Sequence, residues 1–212
     1  EECPNLIKRS FHLFAVDCSS APRVYARKLD DRGFVHHPTK APGQKPITVG
    51  HQYSMLVYLP EQSDAHWIIP LSNIRVKSED SGTTVGVKQF VEAATKRCFK
   101  GQFAVLVADS AYSHTKCTKE ANKENDLVIV SRIRNNRKFH SSLIKEEHQV
   151  KRRGRPKIYG ESWALNDPKK PDESIITEHI TASGKPYKMK VERWYDRLDR
   201  GAIKGSDNNT KE

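Results

Sequence analysis

Apolar runs separated by polar segments divide the first part of the chain into regular elements. A run of about four to eight apolar residues between polar flanks predicts a buried strand, and apolar residues that recur every three or four positions predict an amphipathic helix. The predicted strands are residues 11–16, 47–59, 67–71, 103–108 and 127–130. The predicted helices are residues 82–100, which Gly101 ends, and the more polar residues 113–125.

The remaining segments have a different character. Residues 30–46 are rich in Gly, Pro, His and Lys, which predicts a loop or a wide hairpin turn. From Arg132 the chain is basic and interrupted by Pro and Gly, and partial alternation in residues 175–180 and 187–195 predicts a small β-rich region. We therefore expect two parts, an α/β core in residues 1–136 and a basic, mostly β insertion in residues 137–212.

The charge balance narrows the class of partner. The 212 residues include 37 Lys and Arg against 26 Asp and Glu, which gives a formal net charge of +11. Such an excess favours a polyanion, and nucleic acid comes first, although a basic field alone does not separate a DNA enzyme from a ribosomal or membrane-surface protein. No apolar run reaches the roughly 20 residues that span a bilayer, so we expect no membrane partner.

The cysteines and the missing motifs exclude several further classes. Cys3, Cys18, Cys98 and Cys117 form no CxxC pair, which argues against a zinc site and against a disulfide framework. A reducing cytoplasm is the location that fits them. The sequence has no Walker-type glycine-rich loop and no Ser, His and Asp arrangement beyond chance, which disfavours nucleotide hydrolysis and acyl transfer.

Two aspartates stand at the ends of predicted strands. Asp17 lies in the segment VDCSS and Asp109 in the segment ADSAY, each directly after an apolar run. If the first and fourth strands are neighbours, both carboxylates emerge at one sheet edge and could hold two Mg²⁺ or Mn²⁺ ions for in-line displacement at phosphorus. The alternative is that each Asp caps a helix or opens a turn, the commoner role of a single Asp after a strand.

The order of elements and these motifs resemble a known family. The segments FAVD at 14–17 and VLVADSAY at 105–112 are similar to those of bacterial insertion-sequence transposases of the DDE superfamily. The resemblance covers about residues 11–136 and implies an α/β, ribonuclease-H-like fold, with a mixed five-stranded sheet, flanking helices and a β-rich basic insertion. It also implies that Asp17 is a ligand shared by two metal ions and that Asp109 holds one of them.

The same resemblance implies a reaction and its partners. In this family a metal-activated water cleaves the transposon end, and the freed 3′ hydroxyl then attacks target DNA without a covalent protein intermediate. Double-stranded DNA, as transposon ends and as target, would be the substrate. We also expect a homodimer in a synaptic complex and a cytoplasmic, nucleoid-associated location in a bacterium.

One departure concerns the third acidic ligand, which in this family is a Glu on a late helix. No segment here predicts that helix. Glu192 is the nearest candidate, but the alternation around it predicts a strand and a solvated, salt-bridged side chain. We therefore expect the third carboxylate to lie beyond Glu212, or the copy to have decayed, and two aspartates alone to bind metal weakly.

Basic residues supply the candidate DNA contacts. The segment RGRP at 153–156 matches the core of the AT-hook, which inserts arginines into a narrow minor groove, but phosphate contact and a solvated turn are alternatives. The candidate DNA-binding residues are Arg132, Arg134, Arg137, Lys151, Arg152, Arg153, Arg155 and Lys157.

Histidine and tryptophan side chains add weaker hypotheses. His51, His66 and His114 stand near predicted strand ends, where a histidine could orient a water or contact a phosphate, although a plain boundary residue is the commoner role. Trp67, Trp163 and Trp194 are predicted core or insertion anchors, with stacking on a nucleobase as the alternative.

Three functions are consistent with these features. The first is a DDE-type DNA transposase that cleaves transposon ends and transfers the strand to target DNA. The second is another nuclease on the ribonuclease-H-like fold, which would use the same carboxylates without strand transfer. The third is a non-catalytic DNA-binding protein derived from a transposase by truncation or domestication.

Overall fold

The computed structural model describes residues 9–39, 41–43, 45–61, 68–124, 126–143, 158–167, 170–180 and 184–199. The chain divides into two compact units, Glu1–Arg132 and Ile133–Glu212. Within the described ranges, neither helix is long and apolar enough to cross a membrane.

The first unit is a mixed sheet with two helices. Its strands are β1 (Phe11–Pro22), β2 (Gly33–His36), β3 (Ile47–Tyr58), β4 (Ile69–Val76), β5 (Phe103–Ala108) and β6 (Leu127–Ser131). Its helices are α1 (Gly82–Ala94) and α2 (Thr115–Ala121), and a 3-10 turn (Ser110–Ser113) precedes α2.

The sheet has the strand order β2-β3-β1-β5-β6, and β4 also pairs with β3. β1 is antiparallel to β3 and parallel to β5, and β5 is parallel to β6. The predicted α/β class is confirmed, and this mixed sheet is compatible with a ribonuclease-H-like core.

The core lies on one face of this sheet. The side chains of His12, Phe14 and Val16 in β1 point into the core. Phe14 is fully buried there, and its ring centroid lies 5.4 Å from that of Phe90 in α1 and 5.1 Å from that of Phe99. Leu106 of β5 and Leu56 of β3 complete the same layer. Each such side chain stabilises the fold by about 1.5–3 kcal/mol through burial, which holds α1 against the strands.

Several predicted boundaries differ from the structure. β1 does not end at Val16 but continues to Pro22, because its second half stays paired with β3 as far as Pro22–Gly50. α1 ends at Ala94, and the turns that follow bring Phe99 back into the core. The segment predicted as loop contains β2, which pairs with the outer edge of β3 and buries Val35. In each case the secondary structure depends on contacts with residues that are distant in the chain, which a local pattern does not specify.

The second unit contains two small sheets. β7 (Lys138–His140) pairs with β8 (Ser162–Ala164) and with β11 (Leu198–Asp199). Trp163 is buried here against Trp194, with ring centroids 5.1 Å apart, so both act as structural anchors. β9 (Glu173–Ile180) and β10 (Pro186–Arg193) form a separate antiparallel hairpin.

Candidate active site

The two aspartates lie at the same level of neighbouring parallel strands. β1 and β5 are paired in a register that runs from Phe11–Phe103 to Ala15–Val107. Asp17 and Asp109 each stand two residues beyond the last pair, Asp17 still in β1 and Asp109 at the first position after β5. Side chains two residues apart on a strand share a face, so the two carboxylates emerge from one face of the sheet, Asp17 from within β1 and Asp109 directly after β5.

This face is the one that α1 leaves uncovered. Cys18 and Val16 point toward α1, since a Cβ on Gly82 would collide with Cys18 Sγ and one on Gly86 would come within 2.9 Å of Val16 Cγ2. Asp17 lies between them in the strand and is exposed. Its carboxylate therefore points away from the helix and remains available to a ligand.

Asp109 also has a structural role. Its Oδ1 accepts a hydrogen bond of 2.9 Å from the Ala111 backbone N–H, and the residue is the N-cap of the 3-10 turn. The alternative predicted for an Asp after a strand thus applies here. Because a carboxylate has four lone-pair sites, this bond leaves most of its capacity for a cation.

Tyr112 anchors the turn that follows Asp109. Its side chain is buried, and its hydroxyl lies so close to Gly86 of α1 that a Cβ there would stand 2.9 Å from the Tyr112 Oη. The glycine therefore provides the space for the phenol. The turn that presents Asp109 is fixed against the helix by this contact.

The carboxylates of Asp17 and Asp109 both raise the pKa of Tyr112. Burial is the main cause that raises the pKa of its hydroxyl, and the nearby Ser54 hydroxyl lowers it. The charges that raise this pKa further belong to Cys18, Asp17 and Asp109. Both carboxylates thus act on the same phenol, which agrees with their positions on neighbouring strands.

The family comparison agrees with this geometry. A model of the DDE superfamily endonuclease family matches residues 5–201. The chain belongs to this family. Comparisons with curated proteins and with solved structures found no match. The predicted resemblance is confirmed at the level of the superfamily, and membership implies a DNA substrate and, as is general in these nucleases, divalent metal ions.

A polar link ties the beginning of α1 to this part of the endonuclease. His114 Nε2 lies 3.2 Å from Thr83 Oγ1 and 3.6 Å from Cys117 Sγ. Thr83 Oγ1 is also 2.9 Å from Ser81 Oγ at the N-cap of α1. The sequence suggested that His114 could orient a water or contact a phosphate. In the structure its Nε2 instead helps to position α1. Sequence reasoning missed Thr83, and no local pattern signals it, because its contact with His114 depends on how α1 packs.

Arg132 directly follows β6, the strand next to β5. The register of β5 and β6 ends at Ala108–Ser131, so Asp109 and Arg132 are the residues that directly follow the last pair of these neighbouring strands. Arg132 is exposed, and the described part of the chain offers it no ion pair. A guanidinium there can bind a phosphate oxygen next to the carboxylates.

The other basic candidates differ in their surroundings. Arg134 is exposed. Arg137 forms an ion pair with Asp199 and lies over the Phe139 ring, so it joins β7 to β11 in the second unit. Lys151, Arg152, Arg153, Arg155 and Lys157 lie outside the described residues.

The donor set of the endonuclease fits a hard divalent cation in part. Asp17 and Asp109 supply carboxylate oxygens, the ligands that Mg²⁺ and Mn²⁺ prefer. Among the described residues no group of three His, Cys, Asp or Glu could hold a metal ion together. Glu192 lies in β10 and forms an ion pair with Lys190, in agreement with the salt-bridge role expected for it.

Proposed function

We propose that this endonuclease is a DNA transposase that cleaves transposon ends and joins the freed strand to target DNA. The observation that carries the proposal is the register of β1 and β5, which brings Asp17 and Asp109 to one level of the sheet on the face opposite α1. Each reaction exchanges one phosphorus–oxygen bond for another, so neither needs an energy-rich nucleotide. Positioning and electrostatics then account for the catalysis.

Each side chain of the site has a proposed part in this reaction. Asp17 and Asp109 would hold Mg²⁺ or Mn²⁺, two ions in the family's arrangement, which would supply an activated water and stabilise the leaving oxygen. Arg132 binds the phosphate that is cut and neutralises the charge that builds on its oxygens. Tyr112 and His114 keep the Asp109 turn and the beginning of α1 in place.

Cleavage of a DNA duplex in Mn²⁺ tests this assignment. We expect Asp17→Asn and Asp109→Asn each to lower the cleavage rate at least about 100-fold, since one metal ligand is lost while shape is kept. Asp126→Asn is the matched control, because Asp126 is an exposed acid at the opposite end of the same parallel strands, before β6. Arg132→Ala belongs in the same series and should lower cleavage more than DNA binding.

The outcomes separate the proposal from its rivals. If Asp126→Asn costs as much activity as the other two, the paired aspartates are not the site. Joining of a pre-cut donor end to target DNA distinguishes a transposase from a nuclease that only hydrolyses. If joining fails while cleavage persists, the nuclease alternative replaces the transposase.

A non-catalytic DNA-binding derivative is the second candidate. The observation that favours it is that the described residues contain no group of three metal ligands. In that case DNA binding survives a chelator, falls with salt as phosphate contacts do, and is accompanied by no cleavage in any divalent metal.

A further inference from the structure

The loop between β1 and β2, residues 23–32, is basic and strongly exposed. It contains two acidic residues and four basic ones, and the basic side chains, all of them exposed, are Arg23, Arg27, Lys28 and Arg32. The described part of the chain offers none of these four an ion pair. Their charge is therefore available to a ligand, and a polyanion is the ligand that such a field attracts.

Tyr25 stands at the tip of this loop. The Ala26 N–H donates to the Arg23 carbonyl at 3.0 Å, which closes a turn with Val24 and Tyr25 at its two central positions. Tyr25 is 87% exposed, although burial of a phenol ring is favourable. A tyrosine hydroxyl is one of the groups that donate to DNA phosphates, so a tyrosine among exposed arginines suits a sugar–phosphate backbone.

Hydrogen bonds fix the loop to the rest of the first unit. His51 Nε2 donates to the Asp30 carbonyl at 2.9 Å. The Asp31 carboxylate accepts from the Ser78 backbone N–H at 3.0 Å and from the Arg75 guanidinium at 3.1 Å. A loop held in this way loses little conformational entropy when a ligand binds to it.

The loop continues the strand that carries Asp17. β1 runs five residues beyond Asp17 to Pro22, which at about 3.3 Å per residue is about 17 Å. Phe34, which follows the loop in β2, is on the same face of the sheet as Asp17. Their pairing partners, Val49 and Met55, lie an even number of residues apart in β3, which puts both pairs on one face. Because a duplex advances about 3.4 Å per base pair, DNA held at Asp17 would reach the loop about five base pairs away.

We propose that the β1–β2 loop is a second contact for duplex DNA, which binds the sugar–phosphate backbone about five base pairs from the phosphate at Asp17. Arg23, Arg27 and Lys28 neutralise phosphates, and Tyr25 donates its hydroxyl to one of them. The proposal rests on the proposed function only for the position of the reacting phosphate. Binding of a duplex by the loop requires neither a metal ion nor cleavage.

Fluorescence anisotropy of a labelled duplex of about 30 base pairs, measured in EDTA, reports this contact without cleavage. One triple variant removes three exposed charges from the loop, by Arg23→Ala, Arg27→Ala and Lys28→Ala. The matched control removes three exposed charges between α1 and β5, by Lys96→Ala, Arg97→Ala and Lys100→Ala. β5 begins beside the start of β1, so the control charges lie at the opposite end of that strand from the loop.

We expect the loop variant to lower the affinity at least about 10-fold and to reduce the salt slope of binding by roughly 2 to 3, since three phosphate contacts are lost. The control should lower the affinity less than about 3-fold, because it changes the net charge equally without touching the contact. Tyr25→Phe keeps the ring and should weaken binding roughly 3-fold through the lost hydroxyl. Circular dichroism should be unchanged in all these variants, because the substituted side chains are exposed.

The outcomes separate this proposal from the proposed function. Equal losses in the two triple variants would overturn the loop contact, since net charge alone would then attract the DNA, while the effect of Asp17→Asn on cleavage would still support the proposed function. A wild type that binds no duplex would overturn both.

Discussion

The sheet of the first unit and the β9–β10 hairpin of the second are made of similar residues. Both contain aliphatic and aromatic side chains that alternate with polar ones along regular strands. In the first unit, Phe14 and Leu106 are fully buried, whereas Ile175 and Ile176 of the hairpin are mostly exposed. Alternation alone therefore produces the strand and does not decide whether its apolar face is buried.

The difference lies in the helix that covers one of the two. α1 presents Val87 and Phe90 to the sheet of the first unit, and these side chains close the layer around Phe14. Within its own unit the hairpin has exposed residues on both faces. Burial energy is thus concentrated in the first unit, and the apolar side chains of the hairpin contribute little of it.

The largest effect should come from a large-to-small change in the covered sheet. Phe14→Ala removes a fully buried ring that packs against Phe90 and Phe99, and we expect it to lower the free energy of unfolding by roughly 3–5 kcal/mol. Ile176→Ala on the hairpin should change it by less than about 0.5 kcal/mol. Urea unfolding of both variants measures the contrast, and similar losses would show that the two regions are not different in packing.

A smaller loss of the free energy of unfolding is expected for a substitution where α1 contacts the 3-10 turn that follows Asp109. Gly86→Ala gains about 1 kcal/mol in helix propensity, but its methyl would stand 2.9 Å from both Tyr112 Oη and Val16 Cγ2, and overpacking costs about 1–3 kcal/mol. The net result should be a destabilisation of about 1 kcal/mol. Adding Tyr112→Phe should recover part of it in thermal unfolding, and Lys88→Ala, exposed on the same helix, is the neutral control.

The smallest expected effect is the change in the free energy of unfolding with pH that His12 causes. His12 is buried, and burial first and the Arg9 charge second lower its pKa. Its neutral form is favoured in the fold, so its contribution to stability is complete above about pH 6.5 and is lost as the pH falls through the lowered value. The slope from one proton is at most about 1.4 kcal/mol per pH unit.

Urea unfolding between about pH 7 and pH 5 measures this loss. His12→Gln should flatten the decline, because it removes the titrating group. The exposed His179 of the hairpin provides the comparison, and His179→Gln should leave the pH profile unchanged. A profile that is the same in all three proteins would exclude His12 as its source.

Sequence patterns predicted the framework of the first unit because its signals are local. β5 was predicted with the bounds that it has, and Asp109 follows it as expected, but the prediction that Asp17 ends the first strand was wrong, because β1 continues to Pro22. Whether β1 and β5 are neighbours is a property of the whole sheet, and the sequence supported it only through the resemblance. The link between His114 and Thr83 depends on the packing of α1, which no spacing in the chain specifies.

The second unit was harder to predict from sequence. Glu192 was predicted to lie in a strand and to form a salt bridge, and it does. The exposure of the hairpin on both faces has no sequence signature, because aliphatic residues such as Ile175 and Val191 usually indicate burial. The assignment of Arg132 and Arg134 to DNA remains a prediction.

The hydrogen bond from the Ala111 N–H to Asp109 implies that positions 17 and 109 would accumulate different substitutions during evolution. In a lineage freed from selection for cleavage, Asp17 has no capping role to preserve and can drift toward many residues. Position 109 would remain under selection for folding, which Asn, Ser and Thr satisfy as N-caps but Ala or Val do not. The substitutions that accumulate at 109 in inactive copies would therefore record what the fold needs, and free variation at 17 would show that only the chemistry had constrained it.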